Sequence, residues 1–176
     1  RLRFLCIVSA NLDEFFEVRA EPHLSASQAR EHEGLYTRKS FEELAAAASR
    51  LVAHKYAIYN DQLLPAFRKR DIRIVAHGER SPAQRRWTKA YFQREVRPSL
   101  IPVGLDPSHP FPQVANKSLN FIVRLEGADA FGRVNEVAIV KVPRVLPRFI
   151  AVPGKVAPLG RNYVSLSSVI RAHLGD

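Results

Sequence analysis

Three carboxylates near the start of the chain, Asp13, Glu14 and Glu17, have types and spacing that could do chemistry. Asp13 and Glu17 are four residues apart, so they share one face of a helix. Such a pair could hold Mg²⁺ or act as general acid and base. Negative charge is also favoured at the start of a helix, where Arg19 or another basic residue could pair with it. We interpret the three carboxylates in this structural way, with catalysis as the alternative.

Asn11 precedes Glu14 by three residues, which is the spacing of an N-cap and a reciprocal acid at position N3. A side-chain amide can also contact a phosphate oxygen or a ribose without a change in protonation. The free N–H groups at a helix start attract phosphate as well. The residues alone favour a helix cap after a break, and contact with a phosphorylated ligand is the alternative.

The remaining residue types that do chemistry form no recognisable arrangement in the sequence. No histidine has a Ser or Cys nucleophile context, no Cys/His cluster has zinc spacing, and there is neither a P-loop nor a G-x-G-x-x-G stretch. Cys6 lies in an apolar run and is predicted to be a small buried hydrophobe. We expect surface or packing roles for the six histidines, which stand at positions 23, 32, 54, 77, 109 and 173.

The apolar residues recur at helical spacing, which predicts three long helices. These helices must position the residues named above. They cover residues 1–20, 40–64 and 81–97, and residues 23–39 read as a loop or a short helix. Capping boxes are predicted to begin the second helix at Ser40 and the third at Ser81. Pro22 is predicted to end the first helix or to follow closely on it. Pro65 is predicted to disturb the end of the second helix, and Pro98 to stop the third.

Short β-branched runs in the second half of the chain predict strands. A proline-rich connection covers residues 98–112, and Ser165 or Ser167 is predicted to cap a terminal helix. The pattern therefore indicates a helical first half and an α+β second half, divided near residues 18–40 or 97–112. The predicted strands cover residues 72–75, 119–125, 137–142 and 148–152.

The charge of the chain is strongly basic, with 27 Lys and Arg against 17 Asp and Glu and a pI near 10.3. Ten basic residues lie between Arg68 and Arg97, against three acidic ones. This excess favours polyanionic partners such as nucleic acid, phospholipid, nucleotide or phosphate chains, without choosing among them. A solvated helix face is the alternative interpretation of the basic stretch.

The chain is 46% hydrophobic and has no apolar run of membrane-spanning length. We therefore expect a soluble, cytoplasmic protein, with peripheral membrane association left open. Residue 1 is arginine and methionine is absent, so we expect an internal piece of a longer protein.

Four segments, in order along the chain, resemble one family of enzymes. Residues 1–19 are similar to the family's "R-x-K/R-F-L-x-I-x-S-S/N-N-L-D-E-F-F/Y-x-V-R", and residues 111–120 to its "F-P-x-x-x-N-x-S-L-N". Residues 140–149 are similar to "V-K-V-P-x-x-L-P-R-F", and residues 163–170 to the segment that follows it. On these segments the chain is identified as a member of the polyphosphate kinases.

The resemblance implies an enzyme that reversibly transfers the terminal phosphate of ATP to inorganic polyphosphate, with Mg²⁺ and a phosphohistidine intermediate. It implies an α+β fold, with a helical N-terminal part and a head domain of long helices and a small, mostly antiparallel sheet. Residues 1–20 would end the N-terminal domain. Residues 21–176 would form the head domain, incomplete at its C-terminal end, through which the enzyme dimerises.

The resemblance assigns one site residue in this chain, because the family's asparagine before Leu-Asp-Glu-Phe contacts ATP and Asn11 holds that place. The phosphorylated histidine and the magnesium ligands would lie outside these 176 residues. The chain alone is therefore expected to be inactive, with no catalytic or metal-binding residue of its own, and to add a basic surface for the polymer.

Two other classes of function stay open at this point. The first is a basic module for nucleic acid, suggested by Trp87, Tyr91 and Phe92 within the basic stretch. It is disfavoured because these aromatic residues fall on the face expected to be core, so no nucleic-acid partner is expected. The second is a purely structural part that serves only dimerisation.

Overall fold

The computed structural model describes residues 1–28, 36–106, 110–127 and 137–175 of the chain. His32, His109 and most of the turn predicted between residues 125 and 137 lie outside these ranges. The chain divides into two compact units, Arg1–Arg70 and Asp71–Asp176. The predicted division between residues 20 and 21 stays a prediction, and the helices on both sides of it belong to the first unit.

Every regular element described in the first unit is helical. The segment between the third and fourth α-helices is a π-helix, in which each turn holds one more residue than in an α-helix. The elements are α1 (Leu2–Val18), α2 (Glu21–Gln28), α3 (Arg38–Ala57), the π-helix (Ile58–Leu63) and α4 (Leu64–Arg68).

Helix α1 is continuous, and the predicted break with an N-cap at Asn11 is wrong. The helix begins after Arg1 and runs without interruption through Asn11 to Val18. Pro22 follows closely on this helix, which is one of its two predicted positions, and it lies in the first turn of α2, where its missing N–H costs no hydrogen bond.

Helix α3 begins three residues before the predicted position. Its N-cap is Thr37, whose hydroxyl accepts a hydrogen bond from the Ser40 amide at 3.1 Å. Ser40 is residue N3, and its hydroxyl accepts from the Thr37 amide at 2.9 Å. A reciprocal capping box is present, but Ser40 occupies its second position.

The π-helix after α3 accommodates Pro65. A proline lacks the N–H that an α-helix needs, and its ring collides with the carbonyl four residues earlier, here that of Asp61. The Leu64 amide instead donates to the carbonyl of Tyr59, five residues back. The wider turn lets the helix pass the proline instead of stopping there.

The helices of the second unit have the predicted caps. Ser81 accepts from the Gln84 amide at 3.2 Å with Pro82 at the first helical position, and Ser165 caps the last helix. The elements are α5 (Pro82–Tyr91), a π-helix (Phe92–Val96), a 3₁₀ turn (Arg97–Ser99) and α6 (Leu166–His173), with a further 3₁₀ turn at His77–Glu79.

Two three-stranded sheets complete the second unit. In the first, β6 lies between β1, which is parallel to it, and β5, which is antiparallel. In the second, β4 lies between β2 and β3, both antiparallel to it. The strands are β1 (Ile72–Ile74), β2 (Ile101–Gly104), β3 (Asn120–Arg124), β4 (Val137–Lys141), β5 (Phe149–Ala151) and β6 (Arg161–Ser165).

The predicted α+β class is confirmed, and so are four of these strands, β1, β3, β4 and β5. Strands β2 and β6 were not predicted. The apolar core of the second unit joins the π-helix and α6 to the strands. Its fully buried members include Val96, Val164, Leu166, Val169 and Ile170.

Burial in the first unit is sparse by comparison. Among its described residues only Ala20 and Leu63 are buried apolar side chains, and α1 has none. Cys6 is exposed, so the prediction that it is buried is wrong. The apolar run around it lies on a helix that packs along one side only.

Candidate functional site

Asn11 lies in the middle of an exposed face of α1. Its own side chain is exposed. At helical spacing on either side are Phe4, Ile7, Phe15 and Val18, all exposed, with Phe4 at 72% and Val18 at 62%. A side-chain amide surrounded by exposed apolar residues can form a hydrogen bond with a ligand while its neighbours make hydrophobic contacts with the same ligand.

The opposite face of α1 is held by two polar contacts within the first unit. The Ser9 hydroxyl accepts a hydrogen bond from Lys55 Nζ of α3 at 3.0 Å. Arg1 Nη1 donates to Gln62 Oε1 of the π-helix at 3.1 Å. Ser9 and Asn11 are two residues apart in the helix, so their side chains lie on opposite sides of it.

A shallow apolar groove of about 480 Å³ lies between α1 and α3. Phe16 lines it from α1, and its ring meets that of Phe15 edge to face, with centroids 5.6 Å apart. The side chains of α3 that line it are mostly small, namely Phe41, Ala45, Ala48, Ser49, Val52 and Ala53. The groove carries no charged group that could act on a phosphate.

The three carboxylates Asp13, Glu14 and Glu17 lie in the second half of α1, where all three are exposed. The first turn of α1 contains no acid, so the expectation that they stabilise a helix start is wrong. Near a C-terminus the helix dipole disfavours negative charge. Within the described part of the chain no three His, Cys, Asp or Glu side chains come together as a metal site.

Two of the histidines make the packing contacts expected of them. His23 Nδ1 is 3.0 Å from the Ser40 hydroxyl, and its ring meets Tyr36 edge to face at 4.8 Å. His173 lies against Phe92, with ring centroids 5.1 Å apart.

The basic stretch predicted from the sequence continues across the boundary between the two units, and its densest part is on α5. Helix α5 has no acidic residue, and Arg85, Arg86 and Lys89 are exposed on it. The neighbouring aromatic residues face inward, as expected: Phe92 is buried, and Trp87 and Tyr91 pack against the core.

Arg80 was not singled out from the sequence, although it is 3% exposed. One terminal nitrogen donates to the Ser168 hydroxyl, the other lies 3.4 Å from His77 Nδ1, and Nε has no hydrogen-bond partner. Burial lowers the pKa of this guanidinium from its ordinary value. An arginine between a 3₁₀ turn and a capped helix carries no sequence signal that distinguishes it from its exposed neighbours.

Comparison with known proteins places the chain among relatives of one kind. Residues 1–75 match the family model for the polyphosphate kinase N-terminal domain, and residues 83–176 match the polyphosphate kinase middle domain. The chain is 45% identical to a polyphosphate kinase of Neisseria meningitidis serogroup B in an alignment of 179 residues that covers 99% of this chain and 26% of that protein. It is 47% identical to that of Pseudomonas putida in an alignment of 180 residues that covers 100% of this chain and 25% of that protein.

A solved structure agrees with these sequence matches. The crystal structure of polyphosphate kinase from Porphyromonas gingivalis superposes with a TM-score of 0.79 at 27% identity, covering 99% of this chain and 26% of that one. The two matched domains show that the chain belongs to the polyphosphate kinase family. It spans about a quarter of the length of the relatives it matches.

No helix among the described residues combines the length and apolar character needed to cross a bilayer.

Proposed function

We propose that the complete protein transfers the terminal phosphate of ATP reversibly to inorganic polyphosphate, in the cytoplasm. The observation that carries this proposal is the match of the two family domains over residues 1–75 and 83–176. Phosphoryl transfer depends mainly on positioning and on stabilising charge, so a chain without the reacting group can still contribute to it. The phosphorylated histidine is proposed to lie in another part of the complete protein.

The described residues do not fit a resident Mg²⁺ ion. Mg²⁺ requires oxygen ligands in octahedral geometry, and the exposed carboxylates of α1 do not form such a set. We propose that the magnesium ligands lie in another part of the complete protein.

The contribution proposed for the first unit is one contact with ATP through Asn11. Support comes from its exposure at the centre of an apolar helix face, where the amide is available to a ligand. The amide can donate to a phosphate or ribose oxygen or accept from an adenine amino group. The exposed side chains beside it can cover the apolar parts of a nucleotide.

The test is the complete enzyme with Asn11→Ala, assayed for polyphosphate synthesis from ATP. We expect the KM for ATP to rise several-fold, corresponding to loss of about 1 kcal/mol of binding, with a smaller change in kcat. Ser9→Ala on the opposite face is the matched control, and its KM should stay near that of the wild type. An unchanged KM in Asn11→Ala would contradict the proposed ATP contact, and the proposed function of the complete enzyme would stand.

The contribution proposed for the second unit is dimerisation. One face of the β2-β4-β3 sheet supports it, since Ile101 and Ile122 project from this face and Ile122 is 74% exposed. Exposed apolar side chains on one sheet face are typical of protein interfaces. Sedimentation of the complete enzyme should give a dimer, and Ile122→Asp should shift it toward monomer.

A further inference from the structure

The α5 side of the second unit carries a row of cationic side chains that are exposed to solvent. We name this row the basic strip and define it as Arg85, Arg86, Lys89 and Arg97. We propose that the basic strip binds inorganic polyphosphate. The proposal rests on the function proposed above and gives the place on this chain where the polymer would contact it.

The strip lies opposite the buried face of its helix. Residues 84, 88, 92 and 96 recur every four positions and are all buried, at 8% exposure or less. Arg85, Arg86, Lys89 and Arg97 are all exposed. The packing of α5 and its π-helix on the core therefore fixes the strip toward solvent.

The geometry of the strip is linear. Arg97 Nη1 donates to Gln93 Oε1 at 2.9 Å, which places residue 97 on the same side as residue 93, four residues beyond Lys89. From Arg85 to Arg97 the strip is about 18 Å long at the rise of an α-helix. It can hold several successive phosphates of an extended chain.

The strip has little negative charge of its own. Helix α5 contains no acid, and the nearest downstream carboxylate, Glu95, is engaged by Arg94 Nε at 2.7 Å. Arg85 Nε donates to the Arg80 carbonyl at 3.1 Å, which orients its guanidinium and leaves the two terminal nitrogens for a ligand.

The absence of exposed rings on the strip favours polyphosphate over nucleic acid. Proteins that hold single-stranded nucleic acid stack its bases on aromatic side chains. Here Trp87 and Tyr91 stack on each other, with centroids 5.5 Å apart, and pack against the core. The strip offers charge without a stacking surface, which suits a polymer made of phosphate alone.

The experiment measures binding of end-labelled linear polyphosphate by fluorescence anisotropy, with the 176-residue chain and with the complete enzyme. The variant is Arg85→Gln/Arg86→Gln/Lys89→Gln. The control, Arg38→Gln/Lys39→Gln/Arg50→Gln on α3, removes the same charge from the other unit. Circular dichroism confirms that each variant is folded. Arg86→Glu alone is the second variant. It is chosen because no hydrogen bond or ion pair joins the Arg86 side chain to any residue the structure describes.

We expect the strip variant to bind polyphosphate at least about tenfold more weakly at moderate salt, and the control to change much less. The slope of log K against log salt should fall in magnitude by about 2, since each lost contact contributes about 0.7 on a single-stranded polyanion. Arg86→Glu should weaken binding in the same direction.

Equal weakening by strip and control variants would overturn the proposal, because net charge would then explain binding. A strip that binds single-stranded DNA of equal charge as tightly as polyphosphate would overturn it as well. If the complete enzyme makes polyphosphate while the strip variant binds the polymer normally, the strip proposal fails and the enzyme function stands. If the complete enzyme binds polyphosphate through the strip but makes no polyphosphate, the strip proposal stands and the proposed enzyme function fails.

Discussion

Gly160 lies directly against the backbone of Asp71, so closely that a Cβ on Gly160 would be 2.5 Å from the Asp71 carbonyl oxygen. Both residues have positive φ, at +69° and +56°, and the Arg161 amide donates to the same carbonyl at 2.6 Å. The contact lies immediately before the first residue pair of the two parallel strands, Ile72 with Arg161. It therefore fixes which residues of β1 pair with which residues of β6.

The first prediction is that Gly160→Ala destabilises the second unit. Alanine would adopt an unfavourable left-handed conformation, which costs about 1–3 kcal/mol before the collision with the backbone is added. Urea unfolding followed by circular dichroism should show this loss. Gly78→Ala is the control, since nothing lies within 4 Å of a Cβ at Gly78. Equal stability of the two variants would mean that the contact relaxes without cost.

The second prediction is that Ser168→Asp stabilises the protein. Ser168 is the third residue of α6, where an acid is favoured by the helix dipole, and its hydroxyl already accepts a bond from buried Arg80. A carboxylate there would give the guanidinium a counter-ion in the buried region. We expect a gain of about 1 kcal/mol in the free energy of unfolding.

The control for this second change is Ser167→Asp, one residue earlier on the exposed side of the same turn. It should gain only the smaller dipole contribution. In an Arg80→Gln background the advantage of Ser168→Asp should shrink toward that of Ser167→Asp. A gain that is independent of Arg80 would show that the two side chains do not interact.

The third prediction separates a cap from a ligand contact at Asn11. Because Asn11 lies inside α1 and is exposed, Asn11→Ala should raise helix stability by a few tenths of a kcal/mol, up to about 0.7. Loss of an N-cap would instead lower stability by about 1 kcal/mol. Thermal unfolding distinguishes the two directions, and a decrease would contradict the position of Asn11 in the structure.

The fourth prediction concerns alkaline pH and Tyr91. Burial, and then the nearby Glu95 charge, raise the pKa of Tyr91 above its ordinary value of 10.0. A raised folded-state pKa means that the unfolded chain loses this proton first. The contribution of Tyr91 to stability is therefore complete below about pH 10 and is lost as the pH rises through the folded-state pKa.

The measurement is the phenolate absorbance during a pH titration, together with unfolding at successive alkaline pH values. Tyr91→Phe should remove one late-titrating phenol and reduce the loss of stability at high pH. Tyr59 in the first unit, whose pKa is also raised by burial, should continue to titrate late in this variant. An unchanged titration curve in Tyr91→Phe would contradict the prediction.

The parts of the fold that the sequence predicted are those decided by local chemistry. Ser81 with Pro82 and Gln84 forms the expected cap, because its hydrogen bonds join residues three apart. Strand β2 was missed because it contains Pro102. A strand at the edge of a sheet tolerates a proline, and only the pairing order shows that β2 is an edge.

Strand β6 was missed for a different reason. It begins with Arg161 and Asn162, which are poor strand formers, yet Asn162 is buried. Its amide donates to the Leu159 carbonyl at 2.7 Å, so the cost of burial is offset by a hydrogen bond within the turn before the strand. The strand itself is defined by its pairing with β1 and β5, which no local pattern reveals.

For the candidate site, the residue type and its motif were visible in the sequence, whereas its surroundings were not. The spacing of Asn11 and Glu14 fits a cap as well as a helix interior, and the uninterrupted helix before Asn11 decides between them. The exposure of Cys6 and Phe4 depends on how little of α1 is covered, which is a tertiary property.

The two π-helices have a consequence for comparing this chain with its relatives. Each stands shortly before a proline, Pro65 or Pro98, and each winds one additional residue into its turn. A relative with a plain α-helix there would need one residue fewer to keep the same faces inward. Aligned sequences should then show a one-position gap near residues 58–63 or 92–96, and a helical wheel carried across it would assign the following side chains to the wrong face.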